Sequence, residues 1–552
     1  MPEYFDLGSH GRPVTTTSAD AQKWFDQGLT WSYAFNHEEA VRCFERAIEQ
    51  DPGCAMAHWG IAYAIGPNYN KGWDAFDPVD LSTSLERGHA AVQRALGSLD
   101  GASAAEAGLV HAMAARFPSA APPVAEGEWN EAYADAMRGV YTAHPGDLDV
   151  AALFADALMN VTPWQLWDLR SGSPAEGAHT AEAVDVLERA VGLPGGRSHP
   201  GVLHMYIHLM EMSPQPERAL RAADWLRNLV PDGGHLQHMP THIDVLCGDY
   251  RSVVRSNSAA IAADERFAAR EGAMNFYTLY RAHDYHFKIY GAMFLGQSET
   301  ALEAAGQLAA ALPEELLRVE VPPMADWLEG FVPMKLHALI RFGRWQEIID
   351  TPLPDDAVLY SATTAMTHYA KGVAFAATGR LDEAEDQRLL FAAAVARVPD
   401  SRTVFNNTCL DILAVAGAML DGEIDYRACK IDAAFAHLRR AIELDDGLPY
   451  DEPWGWMQPV RHAYGALLLE QGRVDEAEAV YRADLGLDDT LPRANQHPGN
   501  VWSLHGYHEC LVRLGKTEQA RIIRQQLDLA AAQADVPINA SCACRLSAMP
   551  RT

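Results

Sequence analysis

The segment from Trp24 to Pro52 constrains the fold more than any other part of this chain. Number a 34-residue unit from Ala21. Trp24 then takes position 4, Gly28 position 8, Trp31 position 11, Ala40 position 20, Phe44 position 24, Ala47 position 27 and Pro52 position 32. Small residues at 8 and 20 let two helices approach closely, and large apolar residues at 4, 11 and 24 fill the space between them. The proline at 32 stops the second helix, because it has no N–H to donate. The frame recurs from Pro200 (Ala219, Ala223, Pro231), Ala282 (Gly296, Ala301, Pro313), Ala365 (Gly372, Gly379, Ala384), Gln458 (Gly465, Gly472, Ala477) and Val501 (Gly515, Ala520). Units from Gly234 and Glu329 keep Gly248 and Gly343 at the turn but carry Val253 and Ile348 at position 20.

A repeat is also what the length asks for, since 552 residues exceed what one hydrophobic core supports. The expected layout is an extension over 1–20, one solenoid over 21–533 and a tail over 534–552. Its clear units lie near 21–54, 200–267, 282–315, 365–398 and 458–534, with degenerate helix pairs between them. Loops or kinks are expected at Phe117–Glu128, Gly172–Gly177, Leu312–Met324 and Leu448–Trp456, where Pro, Gly and acidic residues cluster. No strand alternation stands out. Lys and Arg number 44 against 74 Asp and Glu, a net charge of −30 that disfavours nucleic acid and anionic membranes as partners. No apolar run reaches membrane-spanning length and no signal core opens the chain, so the expected location is cytoplasmic. The 8 cysteines are then expected as thiols.

These markers resemble the tetratricopeptide repeat. The resemblance implies an all-α fold, a right-handed superhelical solenoid of antiparallel helix pairs. It also implies that positions 2, 5, 9 and 12 of each first helix line the concave groove that usually takes the ligand. Positions 5, 9 and 12 share one helical face. His204 and His208 occupy positions 5 and 9 of the unit from Pro200, and His238 and His242 the same positions one repeat later. His286 is at 5 and His283 at 2 of the unit from Ala282, His337 is at 9, and His462 and His505 are at 5 of theirs. Glu211 is at 12 and Glu509 at 9. Half of the sixteen slots at positions 5 and 9 hold histidine, where the 22 histidines spread at random would fill about 0.6.

Two HxxxH pairs on neighbouring parallel helices make a patch roughly 6 Å along each helix and about 8–10 Å across. Imidazoles from its four corners can converge on one or two transition-metal ions at about 2.0–2.1 Å. The metal candidates are therefore His204, His208, His238, His242, Glu211, His283 and His286, followed by His337, His462, His505, Glu509, Cys542 and Cys544. Imidazole suits zinc, copper, iron or nickel. Against this stand ordinary duties: hydrogen bonding, and packing beside Tyr206, Tyr285 or Tyr290. His199 and His235, at helix starts, are read as serving turns and packing, and His37 and His58 as structural.

Cys542-Ala543-Cys544 is either a mobile pair of thiols or a soft ligand pair that folds back toward His462 or His505. Trp164, Trp167, Trp454 and Trp456 wall a small-molecule pocket or cap the seams between helix pairs. There is no phosphate loop, dinucleotide fingerprint or nucleophile elbow. The run from His199-Pro200-Gly201 through His204 and His208 to His238-Met239-Pro240-Thr241-His242-Ile243 is similar to a histidine-rich group of bacterial tetratricopeptide-repeat proteins. The Asp451–Trp456 and Asn500–Leu504 segments fit the same group, which carries no general chemistry. The expected function is a transition-metal-binding groove that acts on a small molecule, with a non-catalytic peptide- or protein-binding scaffold as the alternative. The residues do not decide whether the protein is an enzyme. A pH sensor built on the clustered histidines is a third option.

Overall fold

A computed structural model describes residues 4–121 and 126–546. The fold is all-α and of tetratricopeptide type, built from antiparallel helix pairs. Among the described residues the only strands form one short hairpin, in which Thr403–Val404 pairs with Asn407–Thr408. All eight sequence-derived units coincide with a helix pair. The first is Ala19–Tyr33 with His37–Gln50, and the last is Val501–Arg513 with Thr517–Ala531. Degenerate pairs fill the gaps: Ala55–Ile65 with Pro78–Leu96, Ala104–Arg116 with Glu126–Ala143, Leu148–Met159 with Thr180–Gly192, and Cys409–Arg427 with Ile431–Asp446. The chain divides into two compact units, Met1–Ile243 with Ala259–Tyr277, and Asp244–Ser258 with Thr278–Thr552. No helix among the described residues is long and apolar enough to cross a membrane.

The helix starts follow from capping side chains. Ser18, Asn36, Asp77 and Asp147 each accept a backbone N–H from the first turn, and Ser103 with Glu106 forms a reciprocal capping box. The expected loops are present at Gly172–Gly177 and Leu448–Trp456. Leu312–Met324 contains a single turn of helix, Glu314–Leu317, and part of Phe117–Glu128 lies outside the described residues.

Residues Tyr4 to Thr17 form a strap over the first unit. Tyr4 donates to Glu39 at 2.5 Å, Arg12 pairs with Asp147 at 2.7 Å, and the Thr15 N–H donates to Glu106 at 2.6 Å. The C-terminal tail is likewise packed on the second unit. Asp535 accepts the Ser298 N–H at 2.7 Å, and the Ser541 hydroxyl lies 2.6 Å from the Tyr481 hydroxyl and donates to the His462 carbonyl at 2.8 Å.

Two backbone features of the repeat matter most. First, the buried Phe44 ring lies between Gly28 and Gly60, where an added Cβ would stand 2.7 Å and 2.5 Å from it. Second, the turn residue at position 15 is left-handed in seven units. Six carry glycine there, at 248, 296, 343, 379, 472 and 515, with φ between 64° and 79°. The first unit has Phe35 instead, at φ 53°. A side chain in that region costs about 1–2 kcal/mol, so something must hold Phe35 in place.

Gly139 sits in a helix with open space around its missing Cβ. Gly139→Ala is expected to stabilise the first unit by up to about 1 kcal/mol through helix propensity. Gly60→Ala is expected to destabilise it by about 1–3 kcal/mol through overpacking against Phe44. Thermal melts of the two variants check this by the opposite sign of their shifts.

Candidate metal centre

The Pro200–Glu211 helix of the first unit begins at a cap supplied by His199, whose Nδ1 accepts the Val202 N–H at 3.2 Å. Four residues apart on that helix, His204 and His208 are fully buried. The chain then enters Gly234–His238, is interrupted at Met239, and resumes at Pro240–Cys247. That broken helix contributes His235, His238 and His242, spaced i, i+3 and i+7, also buried. The five rings form one cluster. Centroids lie 4.8 Å apart for His204 and His208, 4.9 Å for His204 and His235, 5.7 Å for His208 and His242, and 4.8 Å for His238 and His242.

Hydrogen bonds fix which nitrogen of these rings carries the proton. His204 Nδ1 faces the Tyr33 carbonyl at 2.7 Å, and a carbonyl only accepts. His208 Nδ1 faces the Glu211 carboxylate at 3.1 Å, and His242 Nδ1 faces the same carboxylate at 2.8 Å. All three therefore donate through Nδ1–H, and in the neutral ring Nε2 keeps its lone pair. Orienting a ligand ring through its far nitrogen is what second-shell carboxylates and carbonyls do at metal sites. Burial, with added repulsion from His208, holds the His204 ring far below the usual imidazole range. Burial does the same for His208, with a smaller push from His242, and for His235, with pushes from His204 and His238.

The Nε2 atoms meet in pairs. His204 Nε2 accepts from His235 Nε2–H at 3.1 Å, and His242 Nε2 accepts from His238 Nε2–H at 2.8 Å, so an ion bound there would displace those two protons. Two nitrogens bound to one ion at about 2.0–2.1 Å are separated by about 3 Å. His208 Nε2 is buried and has no hydrogen-bond partner among the described residues. One donor atom each from His204, His208 and His235 lies within 4.8 Å of the others, and the same holds for His208, Glu211 and His242. The arrangement can hold a first-row ion on imidazole nitrogen, with Glu211 as the second-shell acceptor that ties both halves together.

Aromatic rings close the cluster. Phe35 stacks on His208 at 5.7 Å and on His235 at 5.1 Å, and touches His204 at 4.5 Å. Tyr69 lies 4.8 Å from His208 and is stacked on Trp164, which meets His208 edge-on at 6.1 Å. Trp164, like Phe35, is left-handed, at φ 59°. Trp167 instead caps the end of the His204 helix, donating to the Leu209 carbonyl at 2.7 Å. The histidines thus form a walled interior cluster, where the sequence pattern had put them on an open groove.

Sequence reasoning brought together His204, His208, His238, His242 and Glu211. It left out His235, although position 2 of its unit is one of the groove positions, and it left out Phe35, whose signal is an aromatic where sister units carry glycine. The other candidates belong to the second unit. His283 meets Phe405 edge-on at 4.6 Å. His286 Nε2 faces Met457 Sδ at 2.9 Å, and burial with the neighbouring His337 pushes it down to about 3. His337 packs edge-on against Trp456 at 5.1 Å. His462 has both nitrogens engaged, accepting from Arg341 at 3.2 Å and donating to Asp484 at 3.0 Å. His505 lies near Glu509, which pairs with Arg545 at 2.7 Å and Arg513 at 2.5 Å. Cys542 and Cys544 are joined as a disulfide.

A further group, His10, Asp149 and His199, lies in the first unit beside a cavity of about 410 Å³. Asp149 takes bonds from His199 at 3.0 Å, His10 at 3.2 Å, Tyr33 at 2.8 Å and Arg12 at 3.3 Å. Burial alone would raise its carboxyl, but the two histidines outweigh burial and hold it well below the usual range. A cation there would meet the Arg12 guanidinium, so the group is a satisfied hydrogen-bond network.

No family model matches the sequence, and no curated protein matches it. Many solved structures are similar to this chain, and two of them align along most of it. A structure of Naa15/Naa10 bound to HypK-THB has 12% identity and a TM-score of 0.21, covering 92% of this chain and 70% of that one. The crystal structure of yeast Tom70 has 10% identity and a TM-score of 0.28, covering 92% and 99%. Superpositions this loose bear on neither the site nor its chemistry.

His337 gives a clean pH test, because burial alone lowers it to about 4. An unfolded histidine titrates near 6.5. Between those values the unfolded chain binds a proton that the native ring refuses, so acidification destabilises the native second unit. The contribution is about 1.4 kcal/mol per pH unit, complete near pH 4 and absent above about 7. Denaturation at pH 7 and pH 5 is expected to show a smaller pH dependence for His337→Gln than for the parent.

Proposed function

We propose that the first unit binds a transition-metal ion on His204, His208 and His235, with His242 and His238 completing the imidazole set. Glu211 orients His208 and His242 through their Nδ1 protons. One observation carries the reading: carbonyl or carboxylate acceptors hold the Nδ1 protons of the buried His204, His208 and His242 rings, which turns their Nε2 atoms toward a bound ion. An ion can take up the lone pairs of several imidazole nitrogens at once. Neutral imidazole favours zinc, copper, iron or nickel over calcium or magnesium.

We infer a metal-dependent activity on a small molecule, since a bound ion can polarise a substrate or lower the pKa of water. Burial behind Phe35, Tyr69 and Trp164 favours a small ligand over an extended peptide. Sites of this kind are mostly apolar with a few convergent polar groups, which fits the aromatic wall.

Untagged protein reconstituted with zinc, cobalt or copper and then dialysed is expected to retain about one ion per chain or more. Glu211→Gln keeps the size of the side chain but loses the carboxylate, and is expected to weaken binding by about 10–100-fold. His204→Ala combined with His208→Ala is expected to abolish it. Retention below about 0.2 ion per chain, or unchanged retention in the double variant, overturns the proposal.

A further inference from the structure

Arg116 ends the Ala104–Arg116 helix of the first unit and is 1% exposed. Its Nη2 donates to the Pro67 carbonyl, while Nε and Nη1 meet no acceptor. It forms no ion pair among the described residues. Its guanidinium lies over the Tyr133 ring at 4.9 Å and the Tyr63 ring at 5.4 Å. The buried carboxyl of Asp156 is already engaged by the Tyr63 hydroxyl at 3.2 Å and the Asn160 amide at 2.9 Å. Burial raises that carboxyl, and the nearby Arg116 charge opposes the rise without forming an ion pair with it.

More donors around Arg116 lack acceptors. The buried Tyr133 hydroxyl oxygen faces Arg116 and its own O–H has no acceptor, and the indole N–H of Trp73, whose ring leans on Phe117, the residue after Arg116, is buried without a partner. Neither ring nitrogen of His37 has a partner. Burial, joined by the nearby charges of Arg116 and Lys71, holds that ring at about 3. A guanidinium and an indole can only donate, and a buried donor left unsatisfied is costly. What such a set lacks is a ligand made of acceptors, and one with negative charge.

We propose that Arg116, with Tyr133 and Trp73, binds a small oxyanion, the carboxylate of an organic substrate. In a chain of net charge −30 a buried cation with open donors is a specific feature. The location adds a second point. Pro67, held by Arg116, lies two residues before Tyr69, whose ring walls His208. The same loop is closed by paired backbone bonds between Asn68 and Lys71 at 2.9 Å and 3.0 Å. A carboxylate held at Arg116 would sit beside the loop that carries Tyr69 to the imidazole cluster, where a bound ion could act on it. That last step rests on the proposed metal centre, whereas the anion site does not.

The test titrates the full-length chain, with and without zinc, with benzoate, inorganic phosphate and the neutral analogue benzamide, followed by tryptophan fluorescence and calorimetry. Benzoate is expected to bind and benzamide is not. Arg116→Met and Trp73→Phe, which removes the indole N–H, are expected to weaken benzoate by at least about tenfold and threefold respectively, with zinc content unchanged. Benzamide binding as tightly as benzoate, unchanged affinity in both variants, or binding of phosphate without benzoate overturns the proposal. If the chain binds benzoate but no metal, the anion site stands and the metal reading falls. If it binds zinc but no benzoate, the anion site alone falls.

Discussion

The first unit turns on one carboxylate. Glu211 accepts Nδ1–H from His208 on its own helix and from His242 on the broken helix that follows. It thereby sets the tautomer of both rings and fixes the spacing of two repeats at the point where the histidines meet. Tyr33 does the same for His204, using a carbonyl left over at the end of the first helix. A repeat scaffold supplies such leftover carbonyls and short helix-to-helix distances at every unit. In this chain one of them has been recruited to orient a buried imidazole.

Backbone strain gathers around the same rings. Of the non-glycine residues with positive φ, Phe35 and Trp164 both lie against His208 in the first unit, and Phe405 lies against His283 in the second. At the turn position where six sister units have glycine, a phenylalanine is kept at a conformational cost, and its ring stacks on His208 and His235 and touches His204. The N-terminal strap adds to this framework. Its Arg12 and His10 bind Asp149, which also receives Tyr33 and His199, so both helices bearing the His204 contacts are tied to one buried acid. Order at the cluster is thus bought by strain and buried charge in the surrounding shell.

The register of the repeat was legible because it depends on local rules: small residues where helices cross, a large ring at Phe44, proline or glycine at the ends. Every unit placed by those markers coincides with a helix pair. The pairing of His204 and His208 with His238 and His242 was legible for the same reason, since equal positions one repeat apart face the same way. Burial was not. Which rings cover a groove depends on loops such as Gly66–Phe76 and on the turn at Phe35, whose paths no periodicity encodes. His235 escaped because a histidine at a helix start is ordinarily a cap, the role that His199 does fill. The packing of the tail was hidden because its contacts are long-range, as between Ser541 and His462.

Absorption-edge spectroscopy of the zinc-loaded protein tests the central claim most directly, because it reads the atoms bound to the ion. The account predicts a first shell dominated by at least about three nitrogens at about 2.0–2.1 Å, with the outer-shell scattering of imidazole rings, and loss of that pattern in His204→Ala with His208→Ala. A first shell of sulfur, or of oxygen without imidazole scattering, would contradict it.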